Sequence, residues 1–200
     1  MLRSAAEGER SALDELFENY RGRLRAMVQL RLNRRLQARI DPSDVVQDAY
    51  LQAVKRLDDY LKQPQLPPYL WLRHLTGKQL LAVHRHHLGT HMRDATREIS
   101  IGQSSLPDAD STAMAIPIID QASTPSREAI RAEEITRLQA ALDRMNPADR
   151  EIIALRHFEG LSNAETAHVL GLNPSAASSR FFRALKRFGA VLRQHGIEDV

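Results

Sequence analysis

The sequence predicts an all-α protein made of two small helical domains joined by a flexible linker. Three observations carry that expectation. Apolar residues recur at helical spacing in an amino-terminal and a carboxyl-terminal block, capping and stop residues stand at the ends of those runs, and the stretch between is rich in Ser, Thr, Asp, Pro and Ala with little periodicity. The boundaries fall at residues 1–88, 89–126 and 127–200.

In the first block, Leu13, Leu16, Phe17, Tyr20, Leu24, Met27, Val28 and Leu30 keep helical spacing between about residues 10 and 38, with arginines from Arg21 to Arg39 on the remaining faces. Asp41-Pro42-Ser43-Asp44 supplies cap and first-turn residues for a second helix, whose apolar positions Val45, Val46, Ala49, Tyr50, Ala53, Val54 and Leu57 continue to about Leu61. Pro64, Pro67 and Pro68 then impose a short rigid loop. A third helix runs from about Pro68 to Leu88, with Leu70, Trp71, Leu75, Leu80, Leu81 and Val83 facing the core. Ile116 to Ile119 is apolar but interrupted by Pro117, so it is read with the linker. Order resumes near Pro125, where Ser126 can cap a helix through Leu142, and Asn146-Pro147 begins another that passes Ile152, Ile153, Leu155 and Phe158.

Residues 160–187 read as helix, glycine turn, helix. Ser162 caps the first helix with Glu165 as its capping-box partner, Ala164, Ala167 and Leu170 give it a narrow apolar face, and Gly171 ends it. Leu172 plugs the turn and Asn173-Pro174 starts the second helix, with Ala177, Phe181, Leu185 and Phe188 as its buried stripe. The opposite face carries Ser175, Ser178, Ser179, Arg180, Arg183, Lys186 and Arg187. Short hydroxyls let such a helix sit close in a major groove, and guanidinium groups further along reach guanine edges or phosphates. An ordinary helical hairpin with a solvated basic face is the plainer reading of the same residues.

Charge agrees with two polyanion-binding places. The formal net charge is +3, but residues 1–88 hold 15 Lys or Arg against 10 Asp or Glu, while Arg180 to Arg193 contains five bases and no acid. With no cysteine, a disulfide scaffold, thiol catalysis and thiolate-bound zinc are excluded. No long apolar run or signal-type amino terminus occurs, so the expectation is a cytoplasmic protein that inserts into no membrane.

The chain resembles the extracytoplasmic-function sigma factors, bacterial transcription initiation factors that retain only regions 2 and 4. Asp44-Val45-Val46-Gln47-Asp48-Ala49-Tyr50-Leu51 is similar to the family's Asp-Leu-Val-Gln-Glu-Thr-Phe-Leu signature, and Tyr69-Leu70-Trp71-Leu72-Arg73-His74-Leu75 to its Trp-Leu-x-x-Ile segment. Leu142 through Arg187 resembles region 4, including Pro147-x-x-Arg150-Glu151, Leu155-Arg156, Phe158, Gly160-Leu161-Ser162, Gly171 and Ser179-Arg180-x-x-Arg183-Ala184. The resemblance implies a first domain that is the three- to four-helix bundle of region 2, and a second that is region 4 with its helix-turn-helix.

It also implies roles. Asp44, Gln47 and Asp48, at i, i+3 and i+4, become contacts to the clamp helices of the largest polymerase subunit, with the polymerase flap as a further contact of the protein. Lys62, Gln63, Tyr69, Arg73, His74, Lys78 and Arg85 become the part that captures the opened minus-ten strand. The basic face of the last helix becomes the reader of the minus-thirty-five element. Trp71, among Leu70, Leu72 and Leu75, reads as core. Two departures matter: Lys78 stands where many members have asparagine, and Ser178 where many have a long side chain, which shifts base readout toward Ser179, Arg180 and Arg183 or leaves less direct readout altogether. An anti-sigma protein would have to cover the same polymerase-facing surfaces.

No glycine-rich phosphate loop, nucleophile elbow or carboxylate cluster appears, so neither an enzyme nor a cofactor is expected. His84, His86, His87 and His91 include an i, i+4 pair, but nothing nearby completes four ligands, so they read as polar, pH-sensitive surface residues and no metal is expected. The alternative function is a stand-alone helix-turn-helix regulator that binds duplex DNA as a dimer. An RNA-binding or scaffold protein would account for the basic first helix but not for the ordered signatures.

Overall fold

The structure, a computed structural model, describes residues 10–88, 106–122 and 128–194. These fall into two compact all-helical units, divided between residues 101 and 102.

The first unit contains α1 (Arg10–Arg31), the short α2 (Arg34–Gln37), α3 (Pro42–Lys62) and α4 (Pro68–Leu88). The apolar stripe of α1 is buried from Leu13 to Leu30, as its spacing predicts, except for Tyr20, which is half-buried. Asn33 starts α2 by accepting the Arg35 N–H at 3.0 Å. Asp41 starts α3 in the same way, accepting the Ser43 N–H at 2.8 Å, with Pro42 supplying the fixed φ of the first turn. Those hydrogen bonds from Ser43 hold the Asp41 carboxyl below its ordinary pKa. On α3 the buried residues Val45, Val46, Ala49, Ala53, Leu57 and Tyr60 trace one stripe. The Tyr50 ring meets Phe17 of α1 edge-on at 5.0 Å while its hydroxyl donates to the Asp14 carboxylate.

The helix α4 packs against both α1 and α3, and therefore buries residues on several faces, including Tyr69, Leu70, Trp71, Leu72, Arg73, Leu75 and Thr76. Two residues of the expected minus-ten set are among these buried ones. Tyr69 is buried under the guanidinium of Arg23, 3.6 Å from its ring centroid, with the Tyr20 ring 5.2 Å away. Arg73 is only 5% exposed. Both sit inside the bundle because α4 is flanked by two other helices.

The second unit contains α5 (Ser111–Ala122), α6 (Glu128–Arg144), α7 (Pro147–Ile153), a π-type turn (Ala154–Phe158), α8 (Asn163–Leu170) and α9 (Pro174–Gln194). The linker expected over 89–126 thus loses residues 111–122 to a helix packed on α6. Asp110 starts α5, accepting the N–H groups of Thr112 and Ala113 at 2.9 and 3.0 Å, and the Ser111 hydroxyl donates to Asp143 at 2.6 Å. Pro117 within it costs about 3 kcal/mol. Burial of Met114, Ile118 and Ile119 returns roughly 1.5–3 kcal/mol each, so the helix forms. The rest of the expected linker, at 89–105 and 123–127, lies outside the described residues, as do Ser126 and His91.

Asn146 starts α7 by accepting the Ala148 N–H at 2.9 Å. The helix widens after Ile153 into a turn in which the Glu159 N–H reaches the Ala154 carbonyl, five residues back, at 2.9 Å.

Candidate nucleic-acid and partner surfaces

At the second unit's helix-turn-helix the local chemistry fixes the geometry. The Glu165 N–H donates to Ser162 Oγ at 3.1 Å while the Ser162 N–H donates to Glu165 Oε2 at 2.7 Å, so the reciprocal capping box is complete. Gly171 ends α8 at φ +62°, and the Leu172 N–H closes the turn on the Ala167 carbonyl at 2.8 Å. Asn173 starts α9 by accepting the Ala176 N–H at 2.7 Å, and Asn163 Nδ2 crosses the turn to the Pro174 carbonyl at 2.8 Å. The buried face of α8 is Thr166, Ala167 and Val169, with Ala164 exposed, so the predicted apolar face is displaced around the helix.

On α9 the buried stripe is Ala177, Ala184, Phe188 and Leu192; Leu185, expected inside, is exposed. Ser175, Ser179, Arg183 and Lys186 point away from that stripe, Ser178 and Arg180 lie half-buried at its margins, and Phe182 stands among the exposed residues. Arg187 is exposed but is tied by its guanidinium to the buried carboxylate of Asp149 at the start of α7. Arg156 fixes the helix from the other side, donating to the Leu161 carbonyl at 2.8 Å with its guanidinium 5.2 Å from the Phe181 ring centroid. Sequence reasoning passed over Asp149 and Phe182, and named Arg156 only within the region 4 resemblance, with no role. A helical wheel of α9 alone would have placed Phe182 on the exposed face.

In the first unit, a cleft of about 610 Å³ opens between the end of α3, the following loop and the first half of α4. One wall is aromatic: Tyr60 stacks on Trp71 with centroids 4.2 Å apart and planes 17° from parallel. The Tyr60 hydroxyl, whose pKa burial raises, donates to the Leu66 carbonyl at 2.6 Å and so holds the loop to the wall. Gln63, His74 and Lys78 of the predicted set line this cleft, together with Arg56 and Gln65, which the sequence did not single out. Burial, and then the charges of Lys78, Arg56 and Arg73, lower the His74 pKa to about 4, so the imidazole is neutral at physiological pH. Lys62 is exposed on the same loop side, 3.9 Å from Asp59, and Arg85 is exposed about two turns beyond Lys78 on α4.

Asp44, Gln47 and Asp48 are all exposed on α3, opposite its buried stripe. Leu51, one turn on and 48% exposed, adds an apolar centre that the sequence reading missed. The histidines divide. His84 is buried and accepts the Asn33 N–H at Nε2 at 3.2 Å, so it is no surface residue, and burial lowers its pKa. His86 and His87 are exposed with rings edge-to-face at 4.7 Å. Among the described residues no group of three or more His, Asp or Glu could hold a metal ion, and no helix is long and apolar enough to cross a membrane.

Residues 135–188 match the family model described as Sigma-70, region 4. The RNA polymerase sigma factor NccH of Alcaligenes xylosoxydans is 28% identical over 193 residues, covering 96% of this chain and 93% of that protein. The RNA polymerase sigma factor CnrH of Cupriavidus metallidurans is 28% identical over 152 residues, 76% of this chain and 73% of that one. The extracytoplasmic-function sigma factor SigD of Mycobacterium tuberculosis is 26% identical over 187 residues, 94% and 80%. Among solved structures, that of CnrH in complex with the cytosolic domain of CnrY aligns with a TM-score of 0.55 and 24% identity over 96% of this chain and 95% of that one, which shows a shared all-α fold.

Proposed function

Because the chain belongs to the extracytoplasmic-function class of RNA polymerase sigma factors, we propose that each of its exposed surfaces serves one step of promoter recognition in the cytoplasm. The observation that carries the reading is the capped helix-turn-helix whose second helix, α9, turns an acid-free, hydroxyl-rich and basic face outward within the region 4 match. That face enters the major groove of the upstream, minus-thirty-five element, with Ser175, Ser178 and Ser179 permitting close approach and Arg180, Arg183 and Lys186 contacting base edges or phosphates.

The cleft of the first unit takes a base from the opened minus-ten strand. An expelled base needs an apolar wall and hydrogen-bonding groups for its edge, and the strand needs positive charge. Tyr60 and Trp71 provide the wall, Gln63, Gln65 and the neutral His74 the polar groups, and Arg56 and Lys78 the charge. Leu51, one to two turns beyond Asp44, Gln47 and Asp48 on the same exposed side of α3, is suited to core polymerase: an apolar anchor beside polar residues is the usual anatomy of such an interface. The protein makes no covalent bond in this scheme. Its relative CnrH is solved with the cytosolic domain of CnrY, and an inhibitory partner of this chain would compete for the same surfaces. The stand-alone dimeric regulator is set aside, since the relatives are named as polymerase sigma factors.

The test is run-off transcription by core polymerase on a genomic fragment library, with and without the protein. New starts that share two spaced upstream motifs are expected. No new starts, together with tight duplex binding by the protein alone, would overturn the reading.

A further inference from the structure

Phe182 is the most exposed large apolar side chain among the described residues, at 67%. It lies on the face of α9 turned away from Ala177, Ala184 and Phe188, with Ser178 and Ser179 one turn before it and Lys186 one turn after. Leu185, 38% exposed, flanks it three residues on. A phenylalanine left in water forgoes the benefit of burial, so its position in the middle of an otherwise polar face calls for an occupant.

The surrounding charge selects that occupant. The helix α9 contains no acidic residue, and Arg183 and Lys186 border the ring, so a second copy of this chain would bring like charge against like. A polyanion fits the border, and the centre must then meet something apolar inside it. The major groove offers one such group, the C5-methyl of thymine.

We propose that Phe182 reads thymine in the element bound by α9, through apolar contact with its methyl group. Ser178 and Ser179 leave the groove open for the ring, Leu185 extends the apolar surface beside it, and Arg183 and Lys186 hold the backbone. This rests on α9 being the DNA-reading helix, and it adds a specificity determinant that carries no charge and forms no hydrogen bond.

The experiment uses the full chain with core polymerase and a promoter fragment mapped by run-off transcription. Each thymine of the upstream element is replaced in turn by deoxyuridine, which keeps the base pair but lacks the methyl. One or two replacements should weaken binding about fourfold, the worth of one buried methyl-sized group. Phe182→Ala should weaken binding to the unmodified fragment to a similar or larger extent, and in that variant the sensitive deoxyuridine positions should become silent. Its salt dependence should stay unchanged while that of Lys186→Ala becomes shallower. Because the ring is exposed, Phe182→Ala should melt with the parent.

An element without thymine, deoxyuridine replacements that are all silent, or replacements that cost the same with and without the ring would overturn the proposal. So would a Phe182→Ala chain that binds the element normally but changes oligomeric state. If Arg183→Ala and Lys186→Ala together leave upstream binding intact, the DNA-reading role of α9 itself fails, which separates the two conclusions.

Discussion

Arg187, late in α9, is held by the carboxylate of Asp149, a side chain only 7% exposed at the beginning of α7. The pair joins the reading helix to the element that precedes the helix-turn-helix. Arg187 therefore positions α9 in addition to any phosphate it touches. Arg187→Ala removes the partner of a buried carboxylate and should lower the unfolding free energy of the second unit by about 1–3 kcal/mol. Lys186→Ala, one residue away and exposed, should change it by less than about 0.5 kcal/mol. Urea unfolding of the two variants checks the contrast, and equal effects would deny the pair its role.

The packing of α5 on α6 makes a second contrast. Met114 is fully buried whereas Ile116, two residues later, is exposed. Met114→Ala should destabilise by about 2–5 kcal/mol. Ile116→Ala should be close to neutral, within about 0.5 kcal/mol. Thermal melting of both distinguishes a packed helix from a tether, for which neither change would register.

Two glycines should answer the same substitution with opposite signs. Gly171 sits at φ +62° with nothing within 4 Å of where a Cβ would stand, so Gly171→Ala meets only backbone strain and should cost about 1–2 kcal/mol. Gly22, inside α1, also has open space around it but helical dihedrals, so Gly22→Ala should add about 0.5–1 kcal/mol. Denaturant midpoints of the two variants should move to either side of the parent.

The first unit should weaken in mild acid through its histidines. His74 keeps a pKa near 4 in the folded chain, depressed by burial and then by Lys78, Arg56 and Arg73, and His84 is lowered by burial. Unfolded, each titrates near its ordinary 6.5, so below that pH the unfolded chain binds more protons than the folded one. Stability is full above about pH 6.5 and falls as pH drops from there toward 4. His74→Gln should flatten this slope between pH 7 and 5, followed by urea unfolding; an unchanged slope would remove His74 from the account.

If Arg56 and Lys78 hold the opened strand, the double variant Arg56→Ala, Lys78→Ala should bind a single-stranded minus-ten oligonucleotide less tightly as holoenzyme. The slope of log K against log salt should become shallower by about 1.4, from 0.7 per lost phosphate contact on a single strand. A weaker complex with an unchanged slope would mean that the two cations shape the cleft and leave the backbone untouched.

Local chemistry was the legible part of this chain. Ser162 with Glu165, Gly171, Asn173, Asn146 and Asp41 each act through neighbours within five residues, and each terminates or starts a helix where its residue type predicts. What depends on a third element was not legible. Periodicity shows that α4 has an apolar face, but Tyr69 and Arg73 are buried because α1 and α3 flank the helix together. On α9, Leu185 and Ala184 are adjacent and either continues a helical stripe; the neighbours selected the smaller residue. Pro117 looked like a break because its backbone cost is visible in sequence, whereas the burial that outweighs it is not.

The helix α5 also sets where this protein can be cut and rejoined. An exchange of promoter-reading modules between relatives that places its seam at Pro125 would leave Ser111–Ala122 with the donor and strip a layer from the graft. A seam before Asp110 carries the capping carboxylate, Met114, Ile118 and Ile119 along with the helices they support. The transplantable piece is therefore larger than the helix-turn-helix and its immediate scaffold, and chimeras built on the shorter piece should express as aggregation-prone chains whatever their match to the promoter.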